Sequence, residues 1–379
     1  GDVDPNGLVV WIPSDASPDA LRSVGDRFTE ATGIPVSIRR PFDVAGTFEQ
    51  AATSARAPDI VFASDDRLGA WARAGLVAPV DPPDGIRKDT AAVGWNAFTV
   101  GGQVYGYPFR LTAVGLIYNR DLVSTPPKTF DDVIAVDRKL RKDGRHAILW
   151  DYNNPYFTWP LLAANGGYIF KQGDEGGYDT GDTGVDADGA VKGATLLVHL
   201  IEEGVMPRGA TYADAVSAFA SGDVAMTING PWSWARLSNS GIDFGVAPIP
   251  SVGGKPAKPF VGVWGAMISA SSPDKVQAVA FVERYLMSEA GRKAMAGVGP
   301  PGVPASTSAF KQRADEPRIQ ATMVSVRNGE PAPDVPEIGR FWARMAAALQ
   351  AITSSRQDVQ TALEQAAERI EGNRPPARD

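Results

Sequence analysis

Cysteine is absent from the 379-residue chain, and histidine occurs only as His146 and His199. The first absence excludes disulfides, thiolate nucleophiles and zinc–cysteine sites. It also suits an oxidising compartment, where a stray thiol is a liability. Two histidines so far apart in sequence argue against a histidine metal cluster and against a catalytic histidine pair. No apolar run approaches the roughly 18 residues of a membrane helix. There is no basic block: 37 basic residues stand against 44 acidic ones, for a net charge of −7. That balance argues against nucleic acid and anionic membrane surfaces as partners. Internal repeats and low-complexity domains are missing too. Gly1 to Gly7 carry neither an initiator Met nor a charged-then-apolar leader, so a mature or trimmed chain is expected.

What is present is the composition of a soluble globular protein, 44% apolar and 21% charged. The length exceeds what one hydrophobic core usually supports, so two domains are expected. Residues 8–12 form a continuous apolar run, read as a buried parallel strand. Ser17-Pro18 is expected to open a helix with Leu21, Val24 and Phe28 on one face and Gly33 at its end. Strands are read at 34–38 and 58–63, with a helix through Trp71 that stops at Gly75. This β-α-β-α order with short connections predicts an α/β sheet. Ligands of such sheets sit beyond the carboxyl ends of strands, which points to Pro13-Ser14-Asp15 and to Ser64 to Arg67. Later strands are read at 104–108, 115–118, 146–150, 224–228, 244–249 and 260–269. Helices are expected at 129–142, 189–203, 213–220, 272–286, 338–353 and 355–370, and 373–379 reads as a frayed or tag-like end. In the helix at 272–286 the apolar face is assigned to Val276, Val279, Val282 and Leu286.

The densest signal is Asn154-Pro155-Tyr156-Phe157-Thr158-Trp159-Pro160, rich in rings in a chain that is 9% aromatic. Its two prolines are expected to exclude a regular helix through the segment, with a helix carrying Leu161, Leu162 and Ala163 after it and ending at Gly166-Gly167. On residues alone it is either core packing or a surface for a ligand with apolar faces and a polar rim, as in a sugar ring. Asn229 to Trp234 carries two tryptophans at a strand exit. Asp186-Ala187-Asp188-Gly189 hints at a calcium loop, but Gly184 and Thr195 occupy its first and twelfth positions, where acids belong.

Taken together, Leu8 to Ile12, Ala57 to Ile60, Asp66-Arg67, Leu116 to Asn119, Pro126 to Thr129, Pro155 to Leu161, Ala225 to Trp232, Lys258 to Val263 and Phe341-Trp342 resemble the maltose/maltodextrin-binding protein family. These are the soluble receptors of ABC sugar importers. The resemblance implies an α/β, two-lobe periplasmic binding protein fold, hinge-connected, with the ligand cleft between the lobes. The lobes would be 1–111 plus 264–311 and 112–263 plus 312–379, an interleaving that comes from the resemblance alone. It implies Asp15, Asp66 and Arg67 as holders of sugar hydroxyls. Tyr156, Trp232 and Trp342 would stack on sugar rings, with Tyr212 a further cleft tyrosine and Pro155 beside Tyr156. Thr112 and Asn154 stand where the family's best-known members carry glutamates. Ala16, Ala63 and Ala346 replace a lysine, a tryptophan and an arginine, and Ala45-Gly46 an acidic pair. Trp11, Trp159 and Trp234 are read as core.

The function so implied is the binding of an α-glucoside of maltose or maltodextrin type and its delivery, by hinge closure, to the permease of an ABC importer. A receptor for another disaccharide such as trehalose is the alternative. No cofactor or metal, no nucleic acid and no membrane insertion are expected. The protein is expected to be a monomer, and periplasmic and freely soluble, because it has no cysteine to carry a lipid. A glycoside hydrolase would need two carboxylates flanking the bond. Asp15, Asp65 and Asp66 could supply one side, but Thr112 and Asn154 remove those opposite, so an enzyme is not expected.

Overall fold

The computed structural model describes residues 6–174 and 176–372, so the expected frayed end at 373–379 lies outside the described residues. The chain forms two compact units. One comprises the residues up to Thr112 together with Gly262–Ala314, the other Ala113–Val261 together with the residues from Asp315 on.

In the first unit the expected parallel start is present. Leu8–Trp11 lies between Val36–Arg39 and Ile60–Ser64, parallel to both. Gly262–Ile268 then joins Ile60–Ser64 antiparallel, and Tyr107–Thr112 and Val303–Pro304 complete a six-stranded sheet. The strand expected at 104–108 is therefore displaced, because its pairing partner Gly262–Ile268 registers with Tyr107 to Thr112. Asp19–Thr32 packs Leu21, Val24 and Phe28 on the sheet and ends at Gly33, whose φ of 75° is a left-handed cap. Pro18 is its cap residue and Ser17 makes no cap bond. Phe28 meets Phe281 edge-on at 5.1 Å. Phe281 belongs to Lys275–Phe281, which continues as a π-helical turn, Val282–Leu286. The apolar face assigned to this region holds at Val282 and Leu286, which are buried, and is corrected at Val276, which is 79% exposed while Ala278 and Phe281 turn inward. Turning Phe281 inward removes more apolar area from water than turning Val276 inward.

A buried carboxylate ties the central strands of this sheet to the segment that follows Gly262–Ile268. Asp59 is buried, accepts from Val9 N at 2.7 Å, and accepts from Ser272 Oγ at 2.6 Å.

The second unit is built on Phe244–Ala247, Gly115–Asn119, Val224–Asn229 and His146–Ile148, in that order. The first three run antiparallel to their neighbours, and the last pairs parallel with Val224–Asn229. Every residue of Val224–Asn229 is buried, as a strand covered on both faces requires. Helices Phe130–Leu140, Tyr212–Ser221 and Pro317–Asn328 pack on it, while Asp188–Glu202, Ile338–Thr353 and Val359–Glu371 pack on one another in the same unit.

The main correction falls on the aromatic heptapeptide. Its prolines do not exclude a helix: Pro155–Ala163 is one, with Asn154 as its cap. Pro155 takes the first helical position, where a missing N–H costs nothing. Pro160 lies inside, where it removes a single ladder donor from a helix of only 9 residues, and its own carbonyl accepts from Lys258 N at 3.0 Å. Every residue of this helix is buried except Tyr156. Thr158 serves as an internal bracket: it accepts from Trp150 Nε1 at 3.0 Å and donates to the Tyr152 carbonyl at 2.6 Å.

Thr158→Val keeps the shape but orphans the buried indole N–H and the Tyr152 carbonyl. It is expected to cost about 2 kcal/mol of stability, read as a lower denaturant midpoint at unchanged m-value; an unchanged midpoint would show that the bracket contributes nothing.

Candidate functional site

Each unit carries part of the residue set expected from the sequence. In the first unit, Asp15, Asp66 and Arg67 line one open groove of about 550 Å³, together with Phe42, Ala63 and Trp264 among others. The groove lies where the carboxyl-end rule puts it. Pro13 to Asp15 follow the strand Leu8–Trp11, and Asp65–Arg67 is a single 3₁₀ turn directly after Ile60–Ser64.

Within that turn the three charged residues have separate tasks. Asp65 accepts from Val263 N at 2.9 Å and so fastens the turn to the neighbouring strand. Arg67 is held by Glu49, with Nη1 to Oε1 at 2.5 Å, and the same oxygen accepts from the buried Trp71 Nε1 at 3.0 Å. The Trp71 bond, aided by Arg67, draws the Glu49 pKa down, while Glu49 raises that of Arg67. Both side chains are more than a third exposed, so this pair positions the guanidinium more than it stabilises the fold. Asp66 keeps an exposed surface, yet its carboxyl is crowded enough that burial raises its pKa, against the opposing pull of Arg67. A carboxylate and a guanidinium side by side supply the acceptor and the fixed donors that vicinal hydroxyls need.

Trp264 forms the floor of this groove. It is buried against Phe62 at 5.0 Å, and Arg110 Cζ lies 5.6 Å from its ring. Arg110 donates to the carbonyls of Met295, Val298 and Pro300, and burial, with Arg313 adding a smaller part, brings its pKa down to about 10. Gly299 has a φ of 83°, and a Cβ there would lie 2.4 Å from the Trp264 ring, so only glycine lets this loop cross the indole. Thr112 ends the strand Tyr107–Thr112 opposite Gly262, and its buried hydroxyl finds no hydrogen-bond partner among the described residues.

In the second unit the remaining candidates gather around one line of rings. Trp232 lies 6.1 Å from Tyr156, Tyr156 stacks on Phe260 at 5.7 Å and 20°, and Phe260 lies 5.0 Å from Trp342. Trp232 is 39% exposed, Tyr156 and Trp342 are half-buried, and Phe260 is buried. The line thus has three accessible rings and a hidden link. Tyr212 stands beside it, 5.9 Å from Phe157, as the first residue of a helix capped by the reciprocal Thr211–Asp214 pair. Asn229, at the end of its strand, donates to the Tyr212 hydroxyl at 3.1 Å and accepts from Gly230 N at 2.8 Å. It therefore fixes Tyr212 and the Trp232 turn together. The Trp232 indole folds over Gly230, where a Cβ would lie 2.2 Å from the ring.

Asn154 caps the helix: its Oδ1 accepts from Tyr156 N at 3.1 Å and its Nδ2 donates to Asp151 at 3.4 Å. Pro155 is buried behind Tyr156. Trp11 and Trp159 are core residues, and Trp234 is half-buried against the core. Sequence reasoning gave no role to Glu49, Trp264, Asn229 or Phe260. Asn229 and Trp264 left a signal in lying within or at the end of strands near the expected site. Glu49 left none.

Residues 14–293 match the family of bacterial extracellular solute-binding proteins, and the chain belongs to that family, whose fold is the two-lobe periplasmic binding fold. Similarity to individual members extends over most of the chain. A galactooligosaccharide-binding protein of Bacillus subtilis (strain 168) is 28% identical over 83% of this chain and 76% of its own length. A maltodextrin-binding protein of the same organism is 28% identical over 93% and 87%. A maltotriose-binding protein of Pyrococcus abyssi (strain GE5 / Orsay) is 28% identical over 82% and 69%.

Asp66→Asn separates stability from the groove's chemistry. Because the folded carboxyl titrates above the ordinary 3.8, the folded state binds the proton more tightly than the unfolded chain, and ionisation costs stability as pH rises through that window. The variant is expected to melt higher than the parent at pH 7, with the advantage shrinking as the pH falls to 3.8 and below. Thermal melts across pH check this, and an advantage that grew towards acid would contradict it.

Proposed function

We propose that this protein is the receptor of an ABC importer for an oligosaccharide, with an α-glucoside of maltose or maltodextrin type as its ligand. The observation that carries the reading is the line Trp232, Tyr156, Phe260, Trp342, with three accessible rings on one unit. Pyranose rings offer C–H faces to such platforms and hydroxyls to groups such as Asp15, Asp66 and Arg67. Relatives named for maltodextrin and maltotriose support the glucoside reading. One named for galactooligosaccharide matches as well over a similar share of the chain, so the linkage is the part to test first. A ligand that touches both units favours whichever arrangement lets both touch it, and its differential affinity sets the population of that closed state. The permease would then read the closed form. The family's extracellular description supports a site of action outside the cytoplasmic membrane, the periplasm in this reading. The protein works without cofactor, as a monomer, and leaves the sugar unchanged.

Calorimetry with maltose, maltotriose, trehalose, sucrose and a galactooligosaccharide is the deciding experiment. Maltose or maltotriose should bind with a micromolar or lower Kd; failure of every sugar below millimolar would end the reading, and trehalose alone would move it to the alternative. Trp232→Ala should weaken the bound sugar by one to two decades, at ~1.4 kcal/mol per decade, as loss of a stacked ring and its buried area requires. Small-angle scattering at saturating sugar should show compaction, and released glucose should be undetectable.

A further inference from the structure

We infer that Phe42 is the sugar-stacking platform of the first unit, a contact that sets affinity for a pyranose ring held by Asp15, Asp66 and Arg67. The inference rests on the oligosaccharide reading above and adds a residue to it. Phe42 is 96% exposed, the most exposed large apolar side chain among the described residues. A single exposed ring needs no explanation by itself. The position does: Phe42 lines the same groove as the two carboxylates and the guanidinium.

Of the rings on this groove, Phe62 and Trp264 are 1% and 4% exposed, too enclosed to lay a face against a ligand. Phe42 alone among them has both faces open. The neighbouring groove residues Ala45 and Ala63 are small, which leaves room for a ring to turn inward over a bound sugar. The backbone beneath it is held. Pro41 fixes φ just before Phe42. Asp43, just after, caps the helix Val44–Ala51 by accepting from Gly46 N at 3.0 Å. That helix is anchored by the buried Phe48 against Trp71 at 4.6 Å. The anchor thus reaches the polar cluster through Trp71, Glu49 and Arg67. A free ring on a fixed stem beside hydroxyl-binding groups is the amphipathic pattern a pyranose presents in reverse.

The test is calorimetry on Phe42→Ala, Phe42→Leu and Phe42→Trp with the sugar that the unmodified protein binds best. Phe42→Ala should weaken binding about tenfold, Phe42→Leu should recover little of it, and Phe42→Trp should match or exceed the parent. All three should melt with the parent, because the ring contributes nothing to the core. An affinity within twofold of the parent for Phe42→Ala would overturn the platform while leaving the receptor reading intact. Full recovery by Phe42→Leu would overturn stacking in favour of mere apolar cover. If the unmodified protein binds no sugar in the panel, the receptor reading falls and the platform with it.

Discussion

The hydrogen bond from Tyr156 N to Asn154 Oδ1 starts a helix that has no exposed face, and the ring-bearing half of the second unit depends on it. A helix apolar on all sides has to be buried on all sides. Burial on that scale fixes its axis and its rotation, so the one residue left half-open, Tyr156, has no freedom of placement. The Thr158 bracket to Trp150 and Tyr152 fixes the same helix from inside. Phe260 then transmits the placement, stacked on Tyr156 on one side and against Trp342 on the other. Trp342 comes from a helix far along the chain, yet its position follows from the same packing. Rigid rings of this kind bring large contact area to a ligand at small entropic cost.

The first unit solves the complementary problem with charge. A strand end supplies Asp65, Asp66 and Arg67 in one turn, and each is assigned by its partners. Asp65 holds the backbone, and Glu49 holds Arg67, which leaves Asp66 as the carboxylate whose surroundings penalise its ionised form. A group kept in an unfavourable state by the fold is one that a ligand's donors can relieve. In the proposed receptor, stability and binding would pull apart at this residue, as is common where a binding group is partly desolvated.

Much of the fold was legible because its strands are short apolar runs bounded by turn residues, a signal that needs no knowledge of partners. The start of the first sheet and the helix that ends at Gly33 came from that signal alone. The helix at Pro155 did not. A fully buried helix has no 3.6-residue period, and two prolines argued against it until burial and the Asn154 cap outweighed one lost ladder bond. In Lys275–Phe281 the inward residue was misassigned at Val276 for a related reason. Val276 and Phe281 both read as apolar, and only the packing against Phe28 decides between them. Residues of the candidate site were found chiefly through resemblance. Glu49 escaped because an exposed glutamate on a short helix carries no mark of being a guanidinium's fixed partner across 18 positions of sequence.

The neutral residue at 154 can now be read in local terms. Asp151 lies 3.4 Å from the Asn154 amide, and burial already raises its pKa. An asparagine there does two things at once: its oxygen accepts from Tyr156 N, and its amide donates to Asp151. A carboxylate could accept from the helix N-terminus but would meet Asp151 as a like charge in a crowded setting, where such pairs do not both ionise. The amide therefore answers a demand of the helix start as well as any demand of the ligand. What it withholds from the site is a general acid or base, since an amide has no proton to exchange at neutral pH. Thr112, likewise neutral, brings a buried hydroxyl. With Asn154 neutral, the charged residues of the candidate set, Asp15, Asp66 and Arg67, all belong to the first unit, as Thr112 does.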